Sequence, residues 1–173
     1  SESFAAAGAD AVSIEPQSTV TVTLDAALRG EVAGLRITAT QPVTAALWST
    51  SAEGDLGVSP SRPAFKGSSI IPVTVGSVLV ATNPGTEPAT LTVTLLNGTS
   101  VVESQDVTVN PGTSTQVPMT TGTAAQLTTT SPDLRLTTLV TTLNGVTGLG
   151  VAAWGPGGPG AIDVTPTLEP TLA

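Results

Sequence analysis

The chain has 173 residues, of which 10% are charged, with five Lys+Arg against thirteen Asp+Glu and a formal net charge of -8. Phosphate binding needs clustered cations, and the five here (Arg29, Arg36, Arg62, Lys66, Arg135) are scattered, which argues against nucleic acid and anionic membrane surfaces as partners. There is no Cys and no His, so disulfides, thiolate metal sites, the commonest general base and the commonest transition-metal ligand are all excluded.

Phe4-Ala-Ala-Ala-Gly8 is apolar but has no basic flank, so it does not read as a signal peptide, and no stretch reaches the ~20 apolar residues of a membrane span. The sequence reads as a mature or trimmed fragment. Ser18-Thr-Val-Thr-Val-Thr-Leu24 alternates hydroxyl with aliphatic side chains, which predicts a strand with one buried face. Asp25-Ala-Ala-Leu-Arg29 predicts one helical turn ending at Gly30. Gly34 to Thr40 and Val43 to Trp48 predict two strands joined at Gln41-Pro42, where proline denies a ladder donor. Pro60 to Ser69 reads as a linker or long loop.

Strands are next expected at Ile70 to Val75 and Ser77 to Thr82, followed by a dense turn, Asn83-Pro-Gly-Thr-Glu-Pro88. Ala89 to Leu96 alternates again, Asn97-Gly98 predicts a type I′ hairpin turn, and Val101 to Glu103 continues the pairing. Ser104 to Val109 turns at Asn110-Pro-Gly112 into Ser114 to Met119. Further strands are expected at Gln126 to Thr130, Leu134 to Leu143 and Gly148 to Trp154. A Gly/Pro tract, Trp154 to Gly160, then precedes a short strand at Ala161 to Thr165. Many short strands at turn spacings of about eight to twelve residues predict an all-β, antiparallel, immunoglobulin-like β-sandwich.

Parts of the chain occur twice. Val12-Ser-Ile-Glu-Pro16 returns as Val107-Thr-Val-Asn-Pro111, and Leu47-Trp48-Ser49 with Val58-Ser-Pro60 returns as Ala153-Trp154-Gly155 with Val164-Thr-Pro166. The spacing between copies is 95 residues at the front and 106 at the back, so the second copy carries an insertion within Leu134 to Gly150. This predicts two related modules: an incomplete one over residues 1–65, a complete one over 66–166, and a frayed tail over 167–173. An incomplete module leaves strand edges open, which invites an edge-strand dimer.

The run Val78 to Met119, preceded by Val20 to Leu47, resembles an uncharacterised family of secreted actinobacterial proteins, a domain of unknown function. In that family NPG-type turns separate the alternating strands of immunoglobulin-like modules. The resemblance implies an extracellular or cell-envelope location, in some members beside envelope-glycan biosynthesis, and no catalytic residues. The Thr/Ser/Gly/Pro-rich, Lys-poor composition is of a kind common in secreted proteins of high-GC bacteria.

Aromatic residues are only 2% of the chain, which makes Trp48 and Trp154 the sharpest candidates for a binding role. An exposed indole stacks on a sugar ring, whereas equivalent placement in two copies favours packing at the end of a sandwich core. The loop carboxylates Glu53 and Asp55, and the pair Glu103 and Asp106, have residue types suited to Ca²⁺ binding or glycoside hydrolysis. No Asp-x-Asp-x-Asp-Gly loop is present, and solvated charge is the preferred reading. Gly-x-Ser-x-Gly and Ser-x-x-Lys are missing, and the glycine tracts lack the strand–loop–helix context and Lys of a nucleotide site. Asn97-Gly-Thr99 reads as a hairpin tip rather than a glycosylation site. No cofactor or metal is expected. The composition and motifs predict a non-enzymatic envelope module that presents loops or an edge to a protein or glycan. A carbohydrate-binding module, or an accessory subunit of envelope-glycan assembly, is the alternative.

Overall fold

The computed structural model describes residues 11–28, 33–50, 54, 56–60, 62–142 and 145–151. One helical turn, α1 (Asp25–Leu28), is closed by Leu28 N–H donating to Leu24 O at 2.9 Å. Among the described residues ten strands follow: β1 (Ala46–Thr50), β2 (Leu56–Pro60), β3 (Gly67–Pro72), β4 (Ser77–Asn83), β5 (Ala89–Asn97), β6 (Ser100–Val109), β7 (Thr113–Pro118), β8 (Ala124–Thr129), β9 (Arg135–Thr142) and β10 (Gly145–Gly150). All ladders are antiparallel, and β3 to β10 form two four-stranded sheets, β3-β8-β5-β6 and β10-β9-β4-β7. The protein is an all-β sandwich. β1 and β2 make a separate hairpin, with β2 lying near β10.

Alternation builds the core. On β5, Ala89, Leu91, Val93 and Leu95 are buried while Thr90, Thr92 and Thr94 face outward. Leu79 and Ala81 of β4, Ala125 and Leu127 of β8, and Leu136 of β9 meet them from the neighbouring strands and the facing sheet. Phe65, placed by the sequence at the end of the first unit, is fully buried in this core, and its N–H donates to Leu134 O at 2.7 Å. Burying a side chain of this size stabilises by about 2 kcal/mol, which fixes the chain just ahead of β3.

The interior strands are β9 and β4 in one sheet and β8 and β5 in the other, with β3 beside β8 and β7 beside β4. The segment Leu134 to Gly150, where the insertion is expected, holds the β9–β10 hairpin, and β9 is an interior strand of its sheet.

Several local expectations are corrected. Ser18 to Leu24 and Gly34 to Thr40 belong to no described ladder, because alternation specifies faces and not a ladder partner. Of Val43 to Trp48, only the part from Ala46 onward is a strand. The β5–β6 hairpin turns on Gly98-Thr99, closed by Asn97 opposite Ser100, with φ of 61° at Gly98. Only the first central residue has positive φ, so the turn is of the type II′ class rather than I′. The two halves expected for β6 are one ten-residue strand, with a register shift opposite Leu95/Leu96. The expected strand at Ala161 to Thr165 and the tail lie outside the described residues.

Candidate functional site

Trp48 stands on β1 directly opposite Val58 of β2, in a five-residue ladder running from Ala46 to Thr50. Its indole is 62% exposed, and Leu56 and Val58 are 65% and 52% exposed. Cross-strand partners share a face, so Trp48, Val58 and Leu56 make one apolar surface on a two-stranded ribbon. Trp48 therefore does not plug the sandwich. The core closes without it, through Phe65, Leu79, Leu91, Leu95, Leu127 and Leu136. Leu56 and Val58 complete this surface, and the alternation in Leu56-Gly57-Val58 is the signal that would have found them.

Glu53 and Asp55 fall in the β1–β2 connection and lie outside the described residues, as does Trp154. Gly54, between the two carboxylates, has φ of 91° and marks the turn. The second carboxylate pair is split by the strand it sits on. Asp106 pairs with Thr92 on the outer face and accepts a hydrogen bond from Thr92 Oγ1 at 2.7 Å. Glu103 pairs with Leu95, so it is on the opposite face of the same strand. Three residues apart on a strand, the two carboxyls cannot act together on one bond. Among the described residues no group of three or more Asp or Glu is placed to hold a metal ion, and no helix is long and apolar enough to cross a membrane.

The outer face of β3-β8-β5-β6 carries rows of short polar side chains. Ser68, Thr128, Thr92 and Asp106 are in register across all four strands, and Gln126, Thr94 and Ser104 form the next row. These groups bond mainly to one another: Ser68 Oγ to Thr128 Oγ1 at 3.3 Å and Thr94 Oγ1 to Ser104 Oγ at 2.9 Å. Such cross-strand pairs stabilise a sheet and leave few donors unspent.

The other sheet is covered in part by the chain ahead of the sandwich. Gly34 N–H donates to Ser114 Oγ at 2.9 Å, and Ser114 is hydrogen-bonded to its ladder partner Thr82 at 2.9 Å. A Cβ on Gly34 would collide with the Thr82 side chain, so glycine permits this approach. Val80, on the same outer face two residues from Thr82, is only 5% exposed.

One family description, "Family of unknown function (DUF5719)", matches residues 2–120, which include the β1–β2 hairpin and the strands up to β7. No curated protein and no solved structure matches the chain.

Proposed function

The chain belongs to this family of unknown function, and we propose that it is a non-enzymatic interaction module of a bacterial cell envelope, exported to work outside the cytoplasm. In this reading the sandwich is the scaffold and the β1–β2 hairpin is the presenting element. The observation that carries it is the exposure of Trp48 on a ribbon that the core does not need. A rigid, amphipathic indole supplies a large contact area at little entropic cost, and such residues dominate binding energy at interfaces. The lack of His and Cys, and the splitting of Glu103 from Asp106, support display rather than catalysis. Low charge and a hydroxyl-rich surface suit an extracellular setting, and an actinobacterial source fits the same composition.

Trp48 also favours a second reading, in which the ligand is an envelope glycan stacked on the indole. Titrating the Trp154→Phe protein with arabinan, mannan and peptidoglycan fragments tests it through Trp48 fluorescence. A saturable shift with one glycan supports carbohydrate binding. No shift, together with Trp48-dependent capture of one protein from envelope extract, supports a protein partner, including a glycan-assembly enzyme. Neither response, or a capture unchanged by Trp48→Ala, removes the hairpin from the function.

A further inference from the structure

The sequence Thr19-Val-Thr-Val-Thr-Leu24 differs from Thr90-Leu-Thr-Val-Thr-Leu95 at one residue, Val20 against Leu91. The second of these is the middle of β5, an interior strand that puts its aliphatic side chains in the core and its threonines outside. The first belongs to no described ladder and leaves Val20 45% exposed. A strand-forming segment with one aliphatic and one hydroxyl face gains most of its stability from a sheet partner, which it lacks here.

The same molecule holds an edge that takes this sequence. β6 pairs with Thr90–Leu95 along one side, and no described strand pairs with its other side. It is ten residues long, contains no proline, and is exposed over residues 100–106. The other edges are less open. β7 carries the Gly34 contact at Ser114, β10 has β2 near it, and β3 is six residues ending in Pro72.

We propose that residues 18–24 are a donor strand that adds to the free edge of β6 in a second copy of this chain, giving a reciprocal twofold dimer. Antiparallel addition continues the pattern already present. Thr19, Thr21 and Thr23 extend the outer row of Thr108, Asp106 and Ser104, and Val20, Val22 and Leu24 fall on the other side, opposite Val107, Gln105 and Glu103. Two β6 edges cannot serve each other equally well. Each β6 carries two carboxylates, Glu103 and Asp106, and no cation, so a β6–β6 ladder gathers four like charges along one seam. Residues 18–24 carry no charge, so donor and acceptor meet without that repulsion. In its own chain the donor belongs to no described sheet and the outer edge of β6 has no described strand, which leaves both elements available for exchange.

Sedimentation velocity of the whole chain across rising concentration, with hydrogen exchange followed over residues 101–108, tests this. The expected result is a doubling of the weight-average mass and slower exchange in those amides, both lost in Val22→Pro. Residue 22 is outside the sandwich, so at concentrations where the parent is monomeric the thermal unfolding of the variant should match the parent. Val22→Asp keeps the backbone donor but adds a carboxylate on the same side of the sheet as Glu103; it should weaken the dimer, less so at high salt. The proposal is overturned by a monomer at every concentration, or by a dimer that survives both substitutions. It is equally overturned by slow exchange in 101–108 that does not depend on concentration, because that places the strand on its own chain.

Discussion

The side-chain amide of Asn83 donates to the backbone carbonyl of Val109 at 2.9 Å, joining the end of β4 in one sheet to the end of β6 in the other. The same Nδ2 donates to Glu87 O at 2.8 Å, Oδ1 accepts from Gly85 N–H at 3.0 Å, and Asn83 O accepts from Gly112 N–H at 2.8 Å. The chain contains the tetrapeptide Asn-Pro-Gly-Thr twice, at Asn83 and at Asn110, and these bonds bring the two turns together. The second is closed by Thr113 N–H donating to Asn110 O, with φ of 67° at Gly112, the geometry of a type II turn. Asn83 is 1% exposed, so its polar atoms depend entirely on these partners.

Asn83→Ala removes both donated bonds and leaves Val109 O buried without one of its donors. The expected cost is about 3 kcal/mol, which for a sandwich of this size lowers Tm by roughly 10–20 °C. Thermal unfolding followed by circular dichroism measures it. A shift of only a degree or two would show that the sheets are joined by side-chain packing alone.

Thr138 presents the opposite case. It is 3% exposed on the inner face of β9, and its Oγ1 is buried with no hydrogen-bond partner. Thr138→Val keeps the β-branched shape and removes the hydroxyl, so it should stabilise by about 1 kcal/mol. Urea unfolding should show a higher midpoint at unchanged slope. A lower midpoint would mean that the hydroxyl is satisfied in solution.

Gly34→Ala should lift the leading segment from β4 and β7, since the new methyl occupies the space of the Thr82 side chain. Limited proteolysis should cut faster within residues 33–45. Sandwich stability should fall by no more than about 1 kcal/mol, because the main core is on the other face of the sheet. Unchanged protease resistance would count against close docking at Thr82.

In a Trp154→Phe background, Trp48 should emit at long wavelength and be quenched readily by acrylamide. Trp48→Ala should alter unfolding stability by less than about 0.5 kcal/mol, as a surface substitution does. A blue-shifted, quencher-resistant emission would put the indole in a packed environment and end its candidacy as a contact surface.

The parts of the fold legible in the sequence are those where alternation and turn chemistry agree. Thr90 to Leu95 alternates, sits between Asn83-Pro-Gly85 and Gly98, and is found as an interior strand with its aliphatic side inward. Thr19 to Leu24 has nearly the same side chains and no ladder, because a period of two reports which side chains share a face and nothing about a neighbour. Trp48 was ambiguous for a related reason. The end of an apolar strand suits both a core plug and a presented ring, and the choice depends on whether that strand joins the sandwich. Asn83 was legible as a turn residue, but its burial follows from the meeting of two turns far apart in the chain.

The order in which the strands emerge during synthesis bears on how the protein can fold. β8 separates β3 from β5, and β9 completes the pairing of β4, yet both lie after residue 120. Until they arrive β3 has no partner at all, and the two sheets cannot close over Phe65 and Leu91. The stabilising contacts are long in sequence, such as Ile70 with Gln126 and Val80 with Thr137, so loop-closure entropy must be spent before they form. A nascent chain therefore stays open and apolar until the last third is made. Its dependence on chaperone protection should end abruptly once residues 124–142 are available.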